Sequence, residues 1–298
     1  GMRLGSVKGV DLAVNPVFLL LCLLCLSIGF VEILWVILAL VLHEAGHVLM
    51  ALACGLKLLR VELFPFGGQI LTEDLVGVNS RREIIVASAG PAASLFSSGL
   101  TYIMEGNLSL VDFSFFMEFN LLLGLFNLLP ALPLDGGRIL KAFCSTRVGL
   151  RKATVIGSWS GQVLALVLIA AGLYLGFQDP RALNLLVIAG FLGYKAREEL
   201  QMFPYGFTRY LLRKRLLPAE NDMAAGLLTV AHSGVRISRL LNRILPDTVA
   251  VILVIDAQGK VIGIVTERVL IEAMLTRDPL TTVGELLESA AGCEDRRN

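Results

Sequence analysis

Long apolar runs, separated by short polar segments, dominate the first two thirds of the chain. A helix that crosses a bilayer needs about 20 mostly apolar residues. The runs that meet or approach this length are Pro16–Val31, Ile33–Cys54, Ile84–Met104, Phe113–Leu129, Thr154–Phe177 and Ala182–Ala196. The pattern therefore predicts a polytopic α-helical membrane protein with about six transmembrane helices, five or seven being the alternatives. The first run lacks a small-residue cleavage site, so no cleavable signal peptide is expected.

The segment Arg60–Thr72 shows a different pattern, in which apolar residues alternate around Pro65 and the pair Gly67-Gly68. Alternation interrupted by Pro and Gly is typical of a β-hairpin and not of a spanning helix. We expect a membrane-associated β-hairpin, since irregular backbone is tolerated at membrane depth beside a cavity. A plain cytoplasmic turn is the alternative.

The last third of the chain has the β-α-β-β-α pattern of a small α/β unit. Its predicted elements are strands at Leu227–Ala231, Val249–Ile255 and Lys260–Val265 and helices at Arg236–Ile244 and Glu267–Leu275. Charged residues number 28 among the first 202 positions and 23 among the last 96. The change in density predicts a transmembrane domain at 1–202, a basic linker at 203–223 and a small α/β cytoplasmic domain at 224–298.

Composition narrows the class of protein. Hydrophobic residues make up 55% and charged residues 17%, against roughly 25% charged in soluble domains. The mean hydropathy of +0.74 excludes a soluble enzyme and a disordered chain. A net charge of +1 gives no attraction to phosphate, so no nucleic acid is expected as a partner.

The connections between the predicted spans differ sharply in positive charge. One alternating set holds eleven Lys and Arg residues, and the other holds only Arg181. Positive residues favour the cytoplasmic side. The chain is therefore expected to lie in the bilayer as a multi-pass protein with both termini in the cytoplasm.

His43-Glu44-Ala45-Gly46-His47 is the pattern H-E-x-x-H inside the second predicted span. Histidines at i and i+4 share one helix face and can hold one Zn²⁺ ion per chain. Glu44 lies one position around the helix, close enough to take a proton from a water molecule. Ionisable groups within a membrane segment indicate a functional site.

Zinc in a catalytic site needs a third protein ligand. His232 lies in the α/β unit, far from the spans, and is read as an ordinary exposed histidine. The acidic candidates near membrane depth are Glu32, Asp112, Glu118 and Asp135. Asp135 stands out because prolines break the preceding segment and two glycines follow, as in backbone that lines a cavity.

The motif His43–His47 in one span and Asn127-x-x-Pro-x-x-Pro133-x-Asp135-Gly in a later one resemble the site-2 proteases, which are intramembrane zinc metalloproteases. The resemblance covers roughly residues 15–200. It implies that His43, His47 and Asp135 bind zinc and that Glu44 is the catalytic base and acid. Substrate-binding positions implied by the same resemblance are Asn127, Pro133, Phe66, Gly67 and Gly68.

The chain has six predicted spans with no PDZ-like insert between them, followed by a C-terminal module. This organisation is most similar to the sporulation branch of the family. That resemblance implies a sigma factor precursor as substrate, whose N-terminal pro-sequence is removed. It also implies membrane-embedded inhibitory proteins as partners. The expected location is the membrane around the developing forespore, with the site facing the mother-cell cytoplasm.

The tail around Val254–Thr266 is similar to one cystathionine-β-synthase (CBS) repeat, which would serve as a regulatory domain. Such repeats pair, so a single repeat implies a homo-oligomer. A pair often binds an adenine nucleotide, which makes that the candidate ligand here. Val269 stands where the repeat usually has the Asp that holds the ribose.

Three other readings are weighed against this one. A site-2 protease outside sporulation would cut an anti-sigma factor or a signal-peptide remnant. A CBS-regulated membrane transporter would explain the spans and the tail, but predicts charged residues spread along several spans. A catalytically silent scaffold is disfavoured because every catalytic position of the motif is intact.

Overall fold

The computed structural model describes residues 2–7, 10–14, 30–56, 58–64, 67–72, 80–105, 113–216, 226–241, 248–276 and 280–294. The chain divides into two units. The first consists of Gly1–Val76, Arg81–Lys141 and Ile156–Glu199, and the second of Gly77–Ser80, Ala142–Val155 and Leu200–Asn298. The predicted division at 202 and 224 stays a prediction.

Long helices form most of the described chain. They are α1 (Phe30–Ala53), α2 (Ser80–Glu105), α3 (Ser114–Asn127), α4 (Asp135–Val148), α5 (Leu150–Gly176) and α6 (Asn184–Leu216). Among the described residues, three segments are long and apolar enough to cross a membrane: Val31–Ala53, Ser80–Met104 and Leu150–Gly176. A membrane protein with several apolar helices is therefore confirmed. The count of six stays a prediction, because most of the first predicted span lies outside the described residues.

Two helices depart from the predicted pattern. α4 was not predicted, since its polar and charged residues show no spanning run. α6 does not stop at Ala196 but continues to Leu216, through most of the segment predicted as a linker. Its Leu, Lys and Arg residues there are good helix formers, so charge density alone did not mark the end of the helix.

A four-stranded sheet belongs to the first unit. Its strands are β1 (Met2–Val7), β2 (Val10–Val14), β3 (Leu58–Phe64) and β4 (Gly67–Thr72), in the order β1-β2-β3-β4. β3 and β4 are antiparallel, which confirms the predicted hairpin, and β2 runs parallel to β3. The N-terminal hairpin was not predicted, because Gly5 and Ser6 interrupt the alternation of apolar residues between Leu4 and Val7. Among the described strands β4 forms one edge of the sheet, and it lies close to α1.

The helices of the first unit pack closely around α1. Leu40 of α1 belongs to a buried apolar cluster with Phe116 and Leu123 of α3. Gly124 brings α3 against α2, since a Cβ there would lie 3.0 Å from Leu95. Large apolar side chains elsewhere point outward, such as Phe96, which is 71% exposed, as expected for helices surrounded by hydrocarbon.

The second unit contains the predicted α/β module. Its elements are β5 (Gly226–His232), α7 (Ile237–Leu241), β6 (Val249–Ile255), β7 (Val261–Thr266), α8 (Glu267–Thr276) and α9 (Val283–Glu294). β5 pairs parallel with β6, and β7 pairs antiparallel with β6. The predicted order is confirmed, with α9 as an addition.

The apolar core of the module includes side chains that precede Gly226 in the sequence. Leu150, the first residue of α5, is 5% exposed and belongs to the same apolar cluster as Val254 and Leu270. Phe203 and Phe207 of α6 pack against that cluster, with ring centroids 5.4 Å apart. Gly149 permits the turn into α5, since its φ of 84° is a left-handed conformation that other residues rarely adopt.

Candidate metal centre

Two histidines one turn apart on α1 form the base of the site. His43 is 1% and His47 is 2% exposed, although imidazoles are polar. Their Nε2 atoms lie 3.3 Å apart, because positions i and i+4 share one helix face. Both nitrogens are therefore directed at a common point inside the helix bundle.

The outer nitrogens of both rings are held by α2. His47 Nδ1 donates to the carbonyl oxygen of Val86 at 2.7 Å, and His43 Nδ1 lies 2.9 Å from Ser94 Oγ. Metal-binding histidines usually donate their other N–H to such a partner, which fixes the tautomer and the ring orientation. With the proton on Nδ1, each Nε2 keeps a free lone pair for a metal ion.

Asp135 completes the set of donors. Its Oδ2 lies 3.2 Å from His43 Nε2 and 3.0 Å from His47 Nε2, and the residue is 7% exposed. Its other oxygen is 3.7 Å from Arg138 Nη1, one turn further along α4. The structure thus brings Asp135 to two predicted site residues that precede it by 88 and 92 positions.

The turn before Asp135 is seated on α5. The amide of Leu132 donates to the carbonyl oxygen of Gly157 at 3.0 Å, and Leu132 is 1% exposed. A Cβ at Gly161 would lie 2.0 Å from the Leu132 oxygen. The two glycines therefore leave room for the backbone turn that delivers Asp135 to the histidines.

Glycines also make room within the site itself. A Cβ at Gly90 of α2 would lie 2.1 Å from His47 Nε2. At Gly46 it would lie 2.7 Å from the carbonyl oxygen of Ala89. The bare backbone at these positions lets α1 and α2 approach closely and leaves space for the imidazole.

Glu44 lies beside the donors and is 4% exposed. One carboxylate oxygen of Glu44 and one ring nitrogen of each histidine all lie within 4.8 Å of one another. Asp135 is much closer to the two Nε2 atoms than this limit, and it bridges both. The structure therefore places Asp135 Oδ2 against both Nε2 atoms and Glu44 beside them.

The donor set fits Zn²⁺. In tetrahedral coordination with bonds of 2.0–2.1 Å, neighbouring ligand atoms lie ~3.3 Å apart. The three distances among His43 Nε2, His47 Nε2 and Asp135 Oδ2 are 3.2, 3.0 and 3.3 Å. Two imidazoles and one carboxylate are also the donor types of catalytic zinc sites with a fourth, open position.

The other predicted residues do not meet at this point. Asn127 is 3% exposed at the end of α3, where its amide donates to the Leu123 carbonyl oxygen. Pro133 lies in the turn before α4, and Gly67 and Gly68 begin β4, opposite Phe64 and Leu63. Phe66 lies outside the described residues.

The alternative ligands are not brought to the histidines either. Glu32 is in the first turn of α1, well before His43, and Glu118 is exposed on α3. His232 is exposed at the end of β5 in the second unit. Asp112 lies outside the described residues.

The sequence alone does not indicate the roles of Ser94, the Val86 carbonyl group or Gly90. Their contacts join residues 39 and 51 positions apart, which no local pattern records. No local pattern indicates that Gly90 faces His47.

Comparisons with known proteins agree with the geometry. The sequence model of Peptidase family M50 matches residues 101–171. A zinc metalloprotease of Methanocaldococcus jannaschii is 30% identical over 186 residues, which are 58% of this chain and 54% of that protein. Stage IV sporulation protein FB of Bacillus subtilis is 29% identical over 205 residues, covering 67% of this chain and 70% of that protein. The chain thus spans only about half the length of the archaeal relative.

One solved structure is similar throughout most of its length. The site-2 protease from Methanocaldococcus jannaschii superimposes with a TM-score of 0.56 and 27% sequence identity. The match covers 67% of this chain and 94% of that one. Over these ranges the chain is similar in sequence to Peptidase family M50 and in fold to a site-2 protease.

Proposed function

We propose that the protein is an intramembrane zinc metalloprotease that hydrolyses a peptide bond in a membrane-associated protein near the cytoplasmic face. The observation that carries the proposal is the approach of Asp135 Oδ2 to both imidazoles, at 3.0 and 3.2 Å, among residues that are almost fully buried. His43, His47 and Asp135 would hold the zinc ion. Two imidazoles and a carboxylate that converge on one point are the donors that a catalytic zinc ion takes.

Each residue of the site has a part in hydrolysis. Zinc bound there would supply Lewis acidity, lowering the pKa of water and polarising the scissile carbonyl. Glu44 would accept the proton of the attacking water and deliver it to the leaving amine. Val86 and Ser94 would keep the two imidazoles in the orientation that this chemistry needs.

The hairpin offers a place for an extended substrate. A peptide must be extended to be cleaved, because a helix hides its carbonyl groups. β3 has its other side covered by β2, so β4 is the edge that an incoming strand would extend. Gly67 and Gly68 lie on that strand, close to α1. Asn127 would hydrogen-bond the substrate backbone, and Phe66 and Pro133 remain proposed substrate-binding residues on the basis of the family resemblance.

Replacement of the proton carrier tests the proposal. Glu44→Gln should keep zinc but lower the rate of cleavage by at least ~100-fold, the lower end of what general acid–base catalysis contributes. Zinc content and cleavage of a membrane-anchored substrate are measured on the same purified sample. His47→Ala is the matched control that should lose both. Full cleavage by the Glu44 variant would refute the role of Glu44.

For the substrate we propose a sporulation sigma factor precursor that loses its pro-sequence. The similarity to stage IV sporulation protein FB supports this choice, as does the C-terminal module. Co-expression with candidate precursors, comparing the parent with Glu44→Gln, tests it. Cleavage of an anti-sigma factor or a signal-peptide remnant instead would favour the alternative branch, and ion flux without proteolysis would favour a transporter.

We further propose that the α/β module is a CBS-like regulatory domain that pairs with a second copy. One face of its sheet is apolar and open, with Leu228, Val230 and Ile264 each more than half exposed. Pairing of two copies would cover this face. An adenine nucleotide is the proposed ligand of the pair, and membrane-embedded inhibitory proteins are the proposed regulators.

The proposed location follows from the distribution of charge. Lys and Arg residues cluster in one set of connections, which supports cytoplasmic termini. In a spore-forming cell, the proposed membrane is the one around the forespore, with the site facing the mother-cell cytoplasm. Labelling of single cysteines placed at Gly176 and at Asn298 from either side of the membrane tests this orientation.

A further inference from the structure

An ion pair that is largely shielded from solvent joins two helices of the first unit. Lys141 Nζ on α4 is 3.3 Å from Glu83 Oε1 in the first turn of α2. The two side chains are 14% and 6% exposed. Buried ion pairs contribute little net stability, because desolvation of both charges offsets their attraction. Stability alone therefore explains the pair poorly.

The pair joins two helices at the places where each supports the site. Glu83 precedes by three residues Val86, whose carbonyl oxygen holds His47. Lys141 follows Asp135 by six residues on the same helix, ~9 Å along its axis. α2 thus fixes both imidazoles from behind, and the ion pair fixes α4 to the same helix.

We propose that Glu83 and Lys141 are positioning residues. Their ion pair sets the rotation and the height of α4 relative to α2, and so places Asp135 Oδ2 between the two imidazoles. The inference rests on the ligand set of the proposed function. It adds that the third ligand is oriented by a charge pair that contacts neither zinc nor substrate.

The decisive variant removes both charges together. Glu83→Gln with Lys141→Met leaves no unpaired buried charge, and such replacements are often neutral for stability. We expect this protein to fold but to bind zinc roughly ten- to hundredfold more weakly, as when outer partners of metal ligands are lost. The zinc dissociation constant is measured by chelator competition on the full chain in detergent, beside thermal unfolding without metal.

Two further variants are compared with the neutral double variant. The reversed pair, Glu83→Lys with Lys141→Glu, restores the ion pair with opposite polarity and should recover zinc affinity. The matched control, Lys195→Met with Glu198→Gln, removes a more exposed ion pair of 2.6 Å on α6 and should bind zinc like the parent.

The outcomes separate positioning from mere stabilisation. Parent-like zinc binding by the neutral double variant would overturn the proposal. If that variant does not fold, the reversed pair decides: recovered affinity supports the proposal and weak binding by the folded protein overturns it. His47→Ala tests the ligand set separately, because parent-like zinc binding there would refute the proposed site whatever the ion pair does.

Discussion

The metal centre and the α/β module place polar and apolar groups in opposite ways. Around the metal centre, His43, Glu44 and His47 are buried while Phe96 and Leu166 are 71% and 66% exposed. In the module, the helices cover an apolar core containing Val254 at 0%. The first arrangement is expected of helices surrounded by hydrocarbon, and the second is expected of a unit that shields an apolar core from water.

The difference shows what each interior depends on. The module is stabilised by non-directional burial of apolar surface, which tolerates small rearrangements. The metal centre depends on hydrogen bonds and ligand distances, which fail with shifts of less than 1 Å. A small change in side-chain volume should therefore lower the stability of the module, whereas in the metal centre it should lower zinc binding and activity.

The largest effect is expected from an added methyl group in the centre. Gly90→Ala would place a Cβ 2.1 Å from His47 Nε2, so the imidazole must leave its position. We expect activity to fall by more than about a hundredfold, beyond the usual cost of disturbing a ligand's surroundings, with zinc affinity falling too. Gly99→Ala on the same helix is the control, because nothing lies within 4 Å of its Cβ. Parent-like cleavage by Gly90→Ala would contradict the geometry.

A smaller effect is expected from removing methyl groups in the module. Val254→Ala should destabilise the module by about 2 kcal/mol through lost burial and a cavity, without changing zinc content. Hydrogen–deuterium exchange of β6 in the full chain measures the loss. Val249→Ala on the same strand, where the side chain is 44% exposed, is the control. Loss of zinc from Val254→Ala would show that the two interiors are coupled.

The smallest effect is expected from the partner of His43. Ser94→Ala removes the oxygen that lies 2.9 Å from His43 Nδ1 and should weaken zinc binding by roughly tenfold. Chelator competition measures the change, and Ser88→Ala on the same helix, where Oγ bonds only within α2, controls for loss of a hydroxyl. Unchanged affinity in Ser94→Ala would mean that helix packing alone orients the imidazole.

The sequence predicted the residues of the site better than their surroundings. H-E-x-x-H fixes the separation of His43 and His47, since helix periodicity is local. Asp135 was distinguished from the other acidic residues by the prolines before it and the two glycines after it. Ser94 and Gly90 could not be predicted in the same way, because their roles arise only when α1 and α2 pack.

For the fold, prediction succeeded where one period dominates a segment. The Arg60–Thr72 hairpin alternates, and β6 and β7 of the module are short apolar runs joined by a tight turn, and the structure has these elements. α4 was missed because it is neither long nor apolar. The continuation of α6 beyond Ala196 was not predicted, because the high density of charged residues there was taken to indicate a linker. Charged residues are also compatible with a helix.

Because Leu150 belongs to the core of the α/β module, the module cannot be removed or transferred cleanly as residues 226–294 alone. A protein truncated before Gly226 would present Leu150, Phe203 and Phe207 to water, where they would favour aggregation. A module grafted onto another protein would lack the same three side chains. A chimera that exchanges this segment between relatives must therefore also include the start of α5 and the C-terminal half of α6.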